Sequence, residues 1–96
     1  MPHYADITGY TEEEIELWEK LRTRAGTPFQ TAKGLPFTYE VRGNEIFFSR
    51  REKSVTRSTV NRAYRKMREE NITGSKQLGV FGASYLYPVL KNVIPL

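Results

Sequence analysis

Basic side chains crowd one stretch of this chain. Arg50, Arg51, Lys53, Arg57, Arg62, Arg65, Lys66 and Arg68 lie within residues 50–68, which hold one acid, Glu52. Eight cations less one anion give this stretch +7, so the rest of a chain of net +4 carries −3. Segregated positive charge is the sequence footprint of a polyanionic partner. The planar guanidinium of arginine grips a phosphate, or the edge of guanine, through two parallel hydrogen bonds. Neutralised phosphates release counterions, which favours association. Asn61, between Arg57 and Arg65 on one helical face, carries an amide able to pair with the edge of adenine. Ser58 and Thr59 stand at a helix start, where hydroxyl and backbone N–H groups donate to phosphate. The expected nucleic-acid-binding set is therefore Arg50, Arg51, Lys53, Arg57, Ser58, Asn61, Arg62, Arg65, Lys66 and Arg68. A competing expectation is a plain solvated face. The acidic stripe Glu12, Glu16 and Glu19 of the preceding helix would then answer it, within the monomer or in a dimer. Uncompensated like charge costs stability through self-repulsion, which weighs for a partner.

Other chemistries have less to stand on. There is no cysteine, which excludes disulfides, thiolate metal sites and a cysteine nucleophile. The single histidine is His3, and no zinc-type ligand spacing occurs. Gly79-Val80-Phe81-Gly82 is too short to be a phosphate loop. Glu40 and Glu45 are a conceivable acid–base pair. Their hairpin positions instead predict a cross-strand ion pair between Glu45 and Arg42. No catalytic residue, cofactor, metal or small-molecule ligand is expected. Phe81, Tyr85 and Tyr87 cluster near the C-terminus, where rings either stack on bases or pack the core. The short apolar tail around them favours packing.

The positioning elements are legible. A helix is predicted over residues 12–25, with Thr11 and Glu14 at capping-box spacing and Tyr10 and Ile15 as a staple. Ile15, Leu17, Trp18, Leu21 and Ala25 form its apolar stripe, and Gly26 stops it. Residues 29–31 suggest a short strand. Residues 37–42 and 45–50 flank Gly43-Asn44, a two-residue loop suited to a primed hairpin turn. That loop pairs Arg42 with Glu45, Val41 with Ile46 and Tyr39 with Phe48. Phe37, Tyr39, Val41, Ile46 and Phe48 then share one face, which helices must cover. A second helix is predicted over residues 57–70, N-capped by Thr56, with Val55 and Val60 as its staple. Val60, Ala63, Tyr64 and Met67 form its buried stripe, and Arg57, Ser58, Asn61, Arg62, Arg65, Lys66 and Arg68 the remaining arc. Residues 71–76 read as a loop and 78–81 as a strand. Ser84 caps a final helix through Leu90, short or late-starting because proline is tolerated only near a helix start. Val89, Val93, Ile94 and Leu96 are expected to dock on the core.

Within this pattern, residues 55–71 resemble the recognition helix of a GntR-type winged-helix repressor. The likeness lies in Val55-Thr56-Arg57-Ser58-Thr59-Val60, then Ala63 and the Arg/Lys-rich end. Gly79-Val80-Phe81 is similar to the wing strand that follows in such domains. The resemblance implies DNA reading by this helix. It is local, since a winged helix needs a short helix just before the recognition helix and a β-hairpin stands here.

Ninety-six residues suit one domain with one core, the ends 1–9 and 94–96 loosely ordered. The expected class is α+β: an N-terminal helix, a β-hairpin extended to a possible three-stranded antiparallel sheet, a basic amphipathic helix, and a short C-terminal strand and helix. No run is long enough to span a membrane. The start, Met1-Pro2-His3-Tyr4, lacks the pattern of a secretory signal, so a cytoplasmic location is the default. The function expected is non-enzymatic binding of DNA or RNA. The alternative is an assembly module that meets an acidic protein, or a second copy, through the hairpin edge or the basic helix.

Overall fold

The computed structural model describes residues 9–93 of the chain. His3, most of the expected loose ends and the docking of Ile94 and Leu96 lie outside the described residues. Helix α1 spans Glu12–Thr23. Thr11 caps it through the expected box: Glu14 N donates to Thr11 Oγ1 at 3.1 Å and Thr11 N to Glu14 Oε1 at 3.0 Å. Three acids in its first turn, with Lys20 and Arg22 in its last, suit the helix dipole.

Two antiparallel sheets follow. Strand β1 (Phe29–Gln30) pairs with β2 (Pro36–Phe37). Strands β3 (Tyr39–Arg42), β4 (Glu45–Phe48) and β5 (Val55–Thr56) form the second sheet in that order. The expected hairpin register holds at every pair, from Tyr39 opposite Phe48 to Arg42 opposite Glu45. Gly43 has φ +58° and Asn44 a negative φ, so only the first central residue is left-handed, as in a type II′ turn. The third strand comes from the segment leading into the second helix rather than from residues 29–31.

Helix α2 spans Arg57–Glu69, with Thr56 as its N-cap accepting from Thr59 N at 3.3 Å. Val60, Ala63, Tyr64 and Met67 are buried, as its 3.6-residue periodicity requires. They meet Leu17, Trp18 and Leu21 of α1 and the sheet face of Phe37, Tyr39, Ile46 and Phe48 in one core. Full burial of a Leu or Ile contributes about 1.5–3 kcal/mol. Leu21, Ile46, Leu78, Leu86 and Leu90 are among the fully buried set.

Two expectations fail in the C-terminal third. Residues 78–81 form no strand: Ser75–Leu78 is a 3-10 helix, and a turn follows. Gly79 (φ +62°) and Gly82 (φ +74°) are both left-handed, which breaks the extended backbone a strand needs. Helix α3 runs over Ala83–Val93 with Pro88 in its interior, neither short nor late. Proline costs about 3 kcal/mol in a helix interior. Leu86, Val89, Leu90 and Val93 are all buried, and four such side chains at about 1.5–3 kcal/mol each outweigh that loss.

Candidate nucleic-acid interface

The basic residues of 50–68 divide into two groups. One group faces α1. Arg65 Nε lies 3.3 Å from Glu14 Oε2. Arg68 Nη1 pairs with the Glu13 carboxylate and donates to Tyr64 Oη at 2.7 Å, while Tyr64 Oη donates to Glu13 Oε2 at 3.0 Å. The Tyr64 hydrogen bond, and then Arg68, hold the Glu13 carboxyl below the usual carboxylate range. Burial, and then Glu13, push the Tyr64 hydroxyl up. The Arg57 guanidinium stacks 4.2 Å from the Tyr10 ring centre and 5.1 Å from that of Trp18, and Nη1 donates to Asn44 Oδ1 at 3.3 Å. Acids of α1 therefore do answer part of the basic helix, but they are Glu13 and Glu14, not the expected Glu12, Glu16 and Glu19.

Asn61 is a correction to the expected binding set. It is 2% exposed, at the α1 side of α2, where Oδ1 makes no hydrogen bond. Its place one turn from both Arg57 and Arg65 puts it on the arc that α1 covers, which is wider than the four-residue apolar stripe. Oδ1 is withdrawn from solvent, and the residue lines a cavity with Ser58, Arg62 and Arg65. The GntR-type likeness loses its wing strand at residues 79–81, which form a turn.

The second group makes no ion pair with α1 among the described residues, although Ser58 and Arg62 line a cavity with Tyr10, Glu14 and Arg65. Arg62 Nη2 donates to Thr59 Oγ1 at 3.3 Å, and Ser58 is exposed beside it. Lys66 Nζ reaches Leu78 O at 3.4 Å, at the start of the 79–82 turn. At the far end of that turn Arg51 Cζ lies 4.5 Å, and Lys53 Nζ 5.7 Å, from the centre of the Phe81 ring. Arg51 Nε donates to Lys53 O at 2.9 Å, which fixes the arm, and Arg50 Nε donates to Pro36 O. Ion pairs among the described residues are Arg42–Glu40, Arg65–Glu14 and Arg68–Glu13. None reaches Arg50, Arg51, Lys53, Arg62 or Lys66. The Arg42–Glu45 pair expected across the hairpin is replaced by Arg42 Nη2 to Glu40 Oε1 at 2.9 Å, with the Arg42 guanidinium over Phe47, while Ser54 Oγ donates to Glu45.

Phe81 is 59% exposed, the most exposed large apolar side chain described. Packing as expected from sequence holds for Tyr85, whose ring lies 5.2 Å from that of Phe37 and 5.5 Å from that of Phe48. Tyr87 is half-buried. Phe81 departs because it stands in the turn between two left-handed glycines, outside any buried stripe. Its isolation between Gly79 and Gly82 was the available sequence signal. The turn thus presents an aromatic face with cations at both ends: Lys66 at Leu78, and Arg51 and Lys53 at Phe81. No helix of the described residues is long and apolar enough to cross a membrane, and no cluster of metal-ligating side chains occurs among them. No protein-family profile, curated protein or solved structure matches the chain.

Proposed function

We propose that the chain binds single-stranded nucleic acid on the Phe81 turn, with Phe81 stacking on a base and Arg50, Arg51, Lys53, Arg62 and Lys66 tracking phosphates. The observation that carries this reading is the exposed Phe81 ring beneath two cations that have no carboxylate partner among the described residues. Single-strand binders combine such rings with a positive surface, because every base has a π-face. Arg65 and Arg68 drop out of the contact set because acids of the same chain hold them, and Arg57 because its guanidinium lies against both Tyr10 and Trp18, bonds Asn44 and has a buried Nε. Asn61 drops out because it is buried.

Fluorescence anisotropy with labelled oligothymidylate, oligouridylate and a duplex of equal length tests the reading. Five phosphate contacts on a single strand predict about a hundredfold weaker binding on going from 50 to 200 mM salt. Removing one stacked base contact with Phe81→Ala is expected to cost about 1–3 kcal/mol, about fivefold or more in Kd. Arg51→Glu with Lys53→Glu abolishes binding, whereas Arg65→Glu leaves it within about twofold. Absence of binding at low salt, or indifference to Phe81→Ala, overturns the proposal. So does a stable dimer in light scattering that Phe81→Ala dissociates, because the ring would then serve assembly.

A further inference from the structure

On another part of the molecule, the β1–β2 connection, the 3-10 helix and α3 enclose an open groove of about 920 Å³. Its apolar wall is made by Leu35, Tyr85, Tyr87 and Pro88, and Leu35 is 47% exposed there. Lys33, Lys76 and Lys91 line it, one from each of the three surrounding segments, and no acid does. The absence of acid runs through the sequence of the walls: residues 20–39 and 71–96 contain no Asp or Glu. Three cations beside an apolar wall with no acid in the lining, Lys91 Nζ lying 5.8 Å from the centre of the Tyr87 ring, are complementary to an anion with a flat body. None of the three lysines enters an ion pair among the described residues.

A second feature adds polar recognition. Pro88 has no N–H, so the Ser84 carbonyl lacks the donor four residues on that every other turn of a helix supplies. Ser84 and Pro88 both line the groove. Ser84 is also exposed, so its hydroxyl is a polar group beside the aromatic wall that can donate to or accept from a ligand. The groove's volume falls in the range of small-molecule sites, about 300–1,000 Å³.

We infer that this groove binds a small anionic ligand with a flat aromatic body, its anionic group on Lys33, Lys76 and Lys91 and its ring against Tyr87 and Pro88. This site shares no residue with the Phe81 turn, so the two readings fail separately.

The test uses the full chain in 15N-HSQC titrations with adenosine 5′-monophosphate, 2-naphthoate and uncharged adenosine. Saturable shifts of the backbone amides of Lys33, Lys76, Tyr87 and Lys91 are expected with at least one of the two anions. Adenosine is expected to bind at least tenfold more weakly than its monophosphate. Lys33→Glu with Lys91→Glu, both exposed, is expected to remove saturation while the dispersion of the spectrum shows a folded chain. Three outcomes overturn the inference: no saturation with either anion to 5 mM probe (about −3 kcal/mol or weaker), equal binding of adenosine and its monophosphate, or unchanged shifts in the double variant.

Discussion

Arg65 Nε stands 3.3 Å from Glu14 Oε2, and the Glu14 side chain is 6% exposed while that of Arg65 is 58% exposed. A buried carboxylate on α1 thus draws a cation from the basic face of α2 inward. The same carboxylate closes the capping box with Thr11. Arg65 is solvated, so its pair with Glu14 is worth little in itself. The box is worth about 1 kcal/mol per cap contact. Thr11→Ala is therefore expected to lower stability by about 1 kcal/mol, and Glu14→Ala by more, because it leaves the Thr11 N–H without its acceptor and removes a buried side chain. Arg65→Met is expected to cost under about 1 kcal/mol. Urea unfolding of the three variants measures this order, and an Arg65→Met loss exceeding that of Glu14→Ala contradicts it.

Gly82 sets the Phe81 turn. Its φ is +74°, and a Cβ there would stand 2.8 Å from Val55 Cγ2 and 3.2 Å from Arg51 Nη1. Val55 is in the core and cannot retreat. Gly82→Ala is expected to destabilise by about 2–4 kcal/mol, combining overpacking with the left-handed penalty. Gly79→Ala meets only Lys66 Nζ at 3.5 Å, a flexible side-chain end, so its cost is the backbone penalty of about 1–2 kcal/mol. Phe81→Ser is expected to stay within about 0.5 kcal/mol of the parent, as an exposed side chain should. Thermal unfolding of the three variants ranks them, and an equal loss for both glycines would show that Val55 yields.

How far the sequence carried follows from which interactions are local. The cap of α1, the Thr56 cap, the hairpin register and the α2 stripe each depend on residues within a few positions of one another, and all stand as read. Where α1 lies against α2 is not local. Asn61 looked like a solvent-facing base reader because helical periodicity identifies a buried stripe but not how wide a neighbouring helix makes it. Arg65 and Arg68 looked free because their acids are about fifty residues away. The third sheet strand was expected without a place in the chain for the same reason: two residues, Val55 and Thr56, are too short to carry a strand signal without β4 beside them. Pro88 inside α3 was disfavoured by local rules, and only the burial of Leu86, Val89, Leu90 and Val93 reverses that. The exposed Phe81 was legible only as a ring between two glycines.

Asn61 holds a buried Oδ1 without a hydrogen-bond partner, which costs about 1–3 kcal/mol relative to a satisfied site. Asn61→Leu keeps the branched side-chain shape with no polar atom to desolvate. Its stability is expected to equal or exceed that of the parent by up to about 1 kcal/mol, since an apolar replacement of a stranded polar group is often neutral or better. Oligonucleotide affinity is expected to stay unchanged, because the residue is almost wholly buried and lies outside the proposed contact set. A stability loss above 1 kcal/mol in urea unfolding would mean that the amide is satisfied by ordered water at the helix seam.

Tyr39 Oη donates to Leu21 O at 2.6 Å and joins β3 to the end of α1, and the residue is 1% exposed. Burial pushes its hydroxyl up to about 12, against a smaller opposing pull from Arg24. The neutral form is therefore the one that fits the fold. A folded pKa above the unfolded value of about 10 means that the stabilisation is complete below pH 10 and is lost as pH rises towards 12. Tyr39→Phe removes the titration together with the hydrogen bond. Leu21 O keeps a second donor in Arg24 N at 3.3 Å, so the loss at pH 8 is expected near the low end for a buried bond, about 0.5–1 kcal/mol. The parent then declines faster than the variant above pH 10, and the two stability curves converge and cross on the way to pH 12. Denaturant unfolding of both proteins from pH 8 to pH 12 reads this directly. Parallel curves across that interval would show that the phenol of Tyr39 is not held neutral by its burial.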